Sequence, residues 1–274
     1  MASKRNPSPR VRHRRAGDAA KAAAAARLPR HGLARVLSKY GICSRTQAQA
    51  LIRAGRVRVD GRVVSDPDAR TDARSARITL DDAAVAAAQR LYLMLNKPRG
   101  YVTTARDERG RDTVYTLLQD AGLPWLGPVG RLDKASEGLL LLSNDSEWAA
   151  RITDPASALD KTYHVQIDVL PDPGLLARLR AGVDAGDEHL AAKSVRELRR
   201  GARNAWLEIV LDEGRNRQIR RLLAAFDIGV LRLVRVAIGN LALGDLQRGR
   251  WRALSAAEAR ALAELRSCPA RTPA

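Results

Sequence analysis

The sequence predicts an α+β fold in two parts, a small basic domain followed by a larger one built on a mixed sheet. Helical periodicity and a hairpin signal crowd into residues 33–64, whereas beyond residue 90 short apolar strand candidates and helix candidates mix without a regular repeat. A polar and then alanine-rich stretch separates the two patterns. At 274 residues the chain suits one large domain or two modest ones, and hydrophobic residues at 45% are enough for a packed core. Lys and Arg number 48 against 30 Asp and Glu, a net charge of +18 that favours polyanionic partners, nucleic acid first and an acidic membrane surface second. Aromatics at 4% argue against an aromatic-rich platform for single strands.

Cys43 and Cys268 stand far apart, and the histidines at 13, 31, 164 and 189 are scattered, so neither a disulfide framework nor a metal site is expected. A reducing, cytoplasmic setting fits. The longest apolar runs, 22–26 and 139–142, are far too short to cross a membrane. Residues 1–30 hold nine Lys or Arg against the single acid Asp18 and read as a flexible basic arm, although an organelle leader has a similar composition. Domains are expected at 31–88 and 89–265, with a C-terminal tail over 266–274.

Within the first domain Leu33, Val36 and Leu37 recur at helical spacing and Gly41 ends the helix. Ser44 and Gln47 form a capping box for a second helix whose apolar face is Ala48, Leu51 and Ile52, with Gly55 as its stop. Val57 and Val59 then alternate with Arg56 and Arg58 before Asp60-Gly61, a hairpin turn pair, and Val63-Val64 starts the return strand. Arg45, Arg53, Arg56, Arg58 and Arg62 cluster around these elements, where a helix and an adjacent turn can follow a phosphate backbone.

In the larger domain Leu91–Leu95 reads as a buried strand halted at Asn96-Lys97-Pro98-Arg99-Gly100. Further strands are expected at 139–142, 163–169, 205–211 and 231–238, and helices at 114–119, 173–181 and 217–226. Phosphate-loop, dinucleotide, nucleophile-elbow and paired-histidine patterns are absent from the sequence. Asp133 lies on a sharp connection between Pro128 and the apolar run at 139–142, a place that can hold a reactive group, although an isolated Asp beside a Gly also serves as a cap or turn residue.

The stretch from Gly41 to Arg62, with Ser44-Arg45 and Ala54-Gly55-Arg56-Val57-Arg58-Val59-Asp60-Gly61-Arg62, resembles the α-L RNA-binding domain, first named from a small-subunit ribosomal protein. That family often carries Asn at the position of Asp60 and Glu at that of Gln49. Gly130-Arg131-Leu132-Asp133 through Glu137-Gly138 to Asn144-Asp145 resembles the signature of ribosomal-RNA pseudouridine synthases, in the small-subunit-type branch with an N-terminal α-L domain. Three more segments agree: 95–100 with Thr103-Thr104, Lys161-Thr162-Tyr163-His164-Val165, and Glu213-Gly214-Arg215-Asn216-Arg217-Gln218-Ile219-Arg220-Arg221. Departures are Ser136 and Ser143 where Thr is usual, Ser146 for Gly and Leu222 for Met.

The resemblance implies a mixed-sheet catalytic domain with a central cleft, isomerising a specific uridine to pseudouridine in ribosomal RNA or a ribosomal subunit assembly intermediate. It implies no cofactor, no metal, no membrane and no obligate protein partner. Matching position makes Asp133 the nucleophile, with attack on the sugar and attack on the base both open. Arg220 is expected to pair with it, and Tyr163 to stack on the uracil. Arg131 either fills the space left by the extruded base or binds a neighbouring phosphate, and Arg215 and Arg217 are expected RNA contacts. A noncatalytic ribosomal-RNA-binding assembly factor is the alternative from a different class.

Overall fold

The computed structural model describes residues 31–264 apart from Arg74, Arg106 and Glu108. The basic arm and the C-terminal tail, with His13 and Cys268, lie outside the described residues. Residues 31–40 together with Arg45–Ala86 form one compact unit, and Gly41–Ser44 with residues 87–264 form the second.

The first unit begins with β1 (His31–Gly32) and α1 (Leu33–Lys39), which buries Leu33, Ala34, Val36 and Leu37. Its second helix, α2 (Arg45–Arg53), buries Ala48 and Ile52 and leaves Arg45 and Arg53 in solvent, as the apolar spacing predicts. The hairpin of β2 (Val57–Val59) and β3 (Arg62–Val63) turns on Asp60 and Gly61, whose φ values of 51° and 80° are the positive pair a two-residue loop needs. The polar stretch that follows is not simply a linker: it holds β4 (Arg70–Thr71), β5 (Ile78–Leu80) and β6 (Ala83–Ala84). β5 pairs with β2, giving a four-stranded sheet in the order β3-β2-β5-β6, while β4 pairs with β1. Its three residues and the charged neighbours Arg77, Asp81 and Asp82 hide β5 from a pattern search, although Ile78 is buried.

The second unit is built on a nine-stranded sheet. Its strands are β7 (Tyr92–Lys97), β8 (Gly127–Val129), β9 (Glu137–Ser143), β10 (Lys161–Ile167), β13 (Ser194–Arg200), β14 (Ala205–Leu211), β15 (Val230–Ile238), β16 (Leu241–Ala242) and β17 (Trp251–Ala253). The main order is β13-β14-β10-β15-β9-β7-β17, with β16 on β15 and β8 on β9. Every pair is antiparallel except β15 with β9, so the sheet is mixed. At that parallel contact Gly138 has φ of 100°, and a Cβ there would collide with the Arg235 carbonyl oxygen. A separate hairpin joins β11 (Val183–Ala185) to β12 (Glu188–Leu190).

Alternation along the strands sets the cores. Leu139 and Leu141 pack with Met94 and with Trp148 and Ile152 of α3 (Ser146–Thr153), while Leu140 and Leu142 pack with Leu93, Leu95 and Leu132. Val165, Ile167, Leu207 and Ile209 are buried with residues of α4 (Pro173–Ala181) and α5 (Gln218–Ala224). The last helix, α6 (Ala256–Glu264), packs Leu262 into the cluster with Trp148, whose indole N–H donates to the Ala259 carbonyl at 2.8 Å. The helix expected at 114–119 is instead two 3₁₀ turns, Val114–Leu117 and Gln119–Ala121. The segment is short, Thr113 caps it at the Tyr115 N–H, and Gly122 ends it in the left-handed conformation, which favours the tighter i to i+3 turns. No helix among the described residues is long and apolar enough to cross a membrane.

Candidate active site

Asp133 sits on the connection from β8 to β9, and that connection is pinned by backbone rather than by its own side chains. Lys97, at the end of β7, is fully buried and donates its ammonium to the carbonyls of Asp133 at 3.0 Å, Ser136 at 2.8 Å and Pro98 at 3.1 Å. Thr103 brackets Leu132: its hydroxyl donates to the Leu132 carbonyl at 2.8 Å and accepts from the Leu132 N–H at 3.3 Å. The Gly100 N–H donates to the Lys134 carbonyl at 2.8 Å. The two segments singled out at 95–104 and 130–145 are therefore halves of one structure. Burying an ammonium costs several kcal/mol, and three charge-assisted hydrogen bonds of about 1.5–3 kcal/mol each are on the scale that offsets it. Burial still pulls the Lys97 ammonium down to about 8, against the opposing pull of Asp133 and Glu137.

The Asp133 carboxylate is 40% exposed and faces Arg217, whose guanidinium comes within 3.8 Å. That distance is an ion pair but too long for a hydrogen bond, so the carboxylate oxygens remain open to a ligand. The sequence reading put Arg220 in this place. Helix α5 begins at Gln218, one residue later than expected, and Arg217 precedes it in the left-handed conformation at φ 49°. Arg220 instead donates to the backbone carbonyls of Ala135 at 3.2 Å and Val230 at 3.5 Å. It still feels the acid: burial and the charge of Arg217 lower its pKa, and Asp133 opposes them. Its Nε is buried without a partner.

Asp133 lines a cavity of about 650 Å³, together with Tyr163, Arg131, Arg215 and Arg217 from the expected set. Arg220 is not among the lining residues. Tyr163 lies in β10 opposite Arg235 of β15 and Ile209 of β14, while the next residue, His164, faces the other side of the sheet and meets Glu208 at 3.5 Å. Arg215 is held by Glu213 at 2.8 Å and by the His189 carbonyl at 2.8 Å.

Sequence reasoning missed Lys161 and Arg235, which also line the cavity. Lys161 shares the Tyr163 side of β10 by simple alternation, and burial, then the charge of Arg235, lowers its pKa. Arg235 is 6% exposed, donates through Nε to the Leu139 carbonyl at 2.8 Å and leaves Nη2 without a partner. A lone cation at an inward position of an apolar strand was the available signal. The expected arginines of the first unit are all exposed; Arg56 forms a two-point pair with Asp81 at 2.8 and 2.5 Å, and Arg58 meets Asp82 at 3.3 Å.

Residues 91–225 match the family model of RNA pseudouridylate synthases, and residues 32–72 match that of the S4 domain. An uncharacterized RNA pseudouridine synthase of Aquifex aeolicus is 38% identical over 224 residues, covering 81% of this chain and 89% of its own. The chain belongs to the RNA pseudouridine synthase family. The synthase is an isomerase whose N-terminal S4 match falls inside the stretch read as an α-L domain. It is also 33% identical over 236 residues to the ribosomal large subunit pseudouridine synthase B of Bacillus subtilis, which covers 85% of this chain and 96% of that one. That named relative is a large-subunit enzyme, so the assignment extends to synthases with an S4 domain and not to a small-subunit branch. A solved pseudouridylate synthase matches the synthase with a TM-score of 0.58 at 28% identity, over 85% of this chain and 99% of its own.

Proposed function

We propose that this RNA pseudouridine synthase isomerises one specific uridine of ribosomal RNA, with Asp133 as its nucleophile. The observation that carries the reading is that Asp133, on a connection anchored by Lys97, and Tyr163 line one cavity. The reaction breaks the bond from the ribose carbon to uracil N1, turns the base, and forms a bond from the same carbon to C5. The C5 proton is lost and N1 gains one, so nothing is oxidised or reduced. A carboxylate suits either bond to the intermediate, to the sugar or to the ring, and Tyr163 stacks on the base and assists loss of the C5 proton. Arg217 faces the carboxylate as its ion-pair partner, and Arg220 supports the backbone behind it at Ala135.

The substrate must leave its stack before any of this chemistry, and Arg131 at the cavity wall occupies the space it vacates. Arg215 and Arg217 take the phosphates that flank the target, and the exposed arginines of the S4 unit bind RNA beyond it. The name of the Bacillus subtilis relative favours a large-subunit site. Purified protein should release tritium from carbon-5-labelled uridine in large-subunit RNA, and mapping pseudouridine in ribosomal RNA with and without the protein should show one position lost. RNA binding with no tritium release would favour the noncatalytic assembly factor.

A further inference from the structure

The sheet of the second unit is covered unequally. On β10 and β14 the residues Val165, Ile167, Leu207 and Ile209 are all fully buried. Their alternating neighbours Thr162, His164, Gln166, Trp206, Glu208 and Val210 face the other way, and none of them is buried. The adjoining residues on β13 and β15 continue this open face. In the central row Arg199 pairs across to Trp206, Trp206 to Gln166 and Gln166 to Arg232. In the next row Arg196 pairs to Glu208, Glu208 to His164 and His164 to Val234.

We infer that this open face is a second RNA-docking surface centred on Trp206, which receives a stretch of the substrate RNA outside the target nucleotide. The inference rests on the reading that the substrate is a long RNA, and it concerns a surface separate from the cavity. The guanidinium carbons of Arg199 and Arg232 lie 4.7 and 5.5 Å from the centre of the Trp206 ring, so planar cations and an indole form one layered group. Unpaired bases stack on aromatic rings and guanidinium planes alike. The charge has the sign that phosphates require: Arg196, Arg199, Arg232 and Arg248 gather around two acids, Glu208 and Glu137.

The acids do not spoil the surface, because each is already engaged. Glu208 accepts from Arg196 at 2.6 and 2.9 Å. Glu137, 4% exposed, accepts from Arg232 at 3.1 Å through both oxygens and from Arg248 at 3.1 Å. That buried carboxylate acts as an anchor, fixing two arginines whose side chains are 38% and 60% exposed while withholding its own charge from solvent. Arg199 has no acid across from it and stays exposed. A protein-binding face would call for a larger apolar patch at its centre, and here the apolar side chains on the two rows are Val234 and the indole itself.

The test compares two RNAs: a short stem-loop carrying only the target uridine, and a ribosomal RNA fragment extended on both sides of it. Arg199→Glu should raise the Kd for the long fragment about tenfold and flatten its salt dependence by about one counterion, leaving the stem-loop Kd and its single-turnover rate unchanged. Arg180→Glu, an exposed arginine on α4, is the control. Photocrosslinking with thiouridine-substituted long RNA should attach label to peptides of β13 and β14 in the wild type. A long-fragment Kd shifted no further than in the control, or crosslinks absent from β13 and β14, overturns the inference, as does a protein partner that binds this face while RNA binding is unaffected. Tritium release by the wild type reads the isomerase assignment separately from these binding measurements.

Discussion

The two connections that meet at the Asp133–Arg217 pair are held in opposite ways. The 130–136 connection is gripped at its backbone by a fully buried ammonium, a buried threonine hydroxyl and a backbone N–H. The 212–217 connection is held through side chains instead: Arg215 and Glu213, each about one-third exposed, pair with each other, and the buried Gln218 amide also donates to Glu213. Exposed ion pairs contribute about 0–1 kcal/mol each, whereas a buried donor left without its acceptors costs more. The acid is thereby fixed in place and its cation is left adjustable. Such a division suits the proposed reaction, in which the carboxylate meets one carbon atom while the arginine accommodates a bound nucleotide.

The sharpest way to break this comparison is at the acid itself. Asp133→Asn keeps the size of the side chain and removes the proposed nucleophile, so tritium release should fall by at least about a thousandfold with RNA affinity nearly unchanged. Residual turnover near the wild-type rate would remove Asp133 from the chemistry. Next in size is Lys97→Met, which leaves three carbonyls without their donor. A displacement of the loop by about 1 Å costs on the order of a hundredfold in rate. We expect that loss in kcat, little change in KM, and a lower melting temperature; equal losses in kcat and affinity would instead mean that the whole cavity had collapsed.

The same lysine supplies a pH signature. Its ammonium titrates near 8 in the fold against 10.5 for an unstrained lysine, so in that window the unfolded chain binds more protons than the folded one. Stability contributed by this group therefore rises with pH from about 8 to 10.5, while below pH 8 the burial penalty is fully present. Activity should move the other way, because loss of the proton removes one of three donors and the positive charge beside the Asp133 loop. A wild-type rate that falls through pH 8, together with a stability difference from Lys97→Met that grows toward pH 10.5, would show both signs at once. Parallel pH profiles of stability for the two proteins would discard the lysine as the titrating group.

Much of this architecture was legible because alternation and turn chemistry act locally. The 205–211 strand and the 173–181 helix stand at their expected bounds, and the Asp60-Gly61 turn has the expected backbone. What escaped depends on tertiary contact. Arg217 displaces Arg220 at the carboxylate because one non-glycine residue adopts a left-handed backbone, which no propensity signals. Lys97 read as the stop of a strand, since only the 130–136 connection shows what its ammonium is for. β13, with Arg196, Arg199 and Arg200, has too polar a pattern to stand out, because it is an edge strand with one face open.

The remaining comparison is between the cation at the cavity and those of the S4 unit. Arg217→Gln removes an ion pair of 3.8 Å between groups that are 52% and 40% exposed, so a loss of about tenfold in kcat/KM is expected, shrinking as salt rises. Arg62→Ala, on the exposed β2–β3 hairpin, should be smaller still: a few-fold weaker RNA binding, a salt slope reduced by about one, and an unchanged single-turnover rate at saturating RNA. The two variants separate by which parameter saturating RNA restores. If excess RNA rescued Arg217→Gln as fully as Arg62→Ala, Arg217 would be a phosphate contact alone, and the adjustable half of the acid–cation pair would have no part in the chemical step.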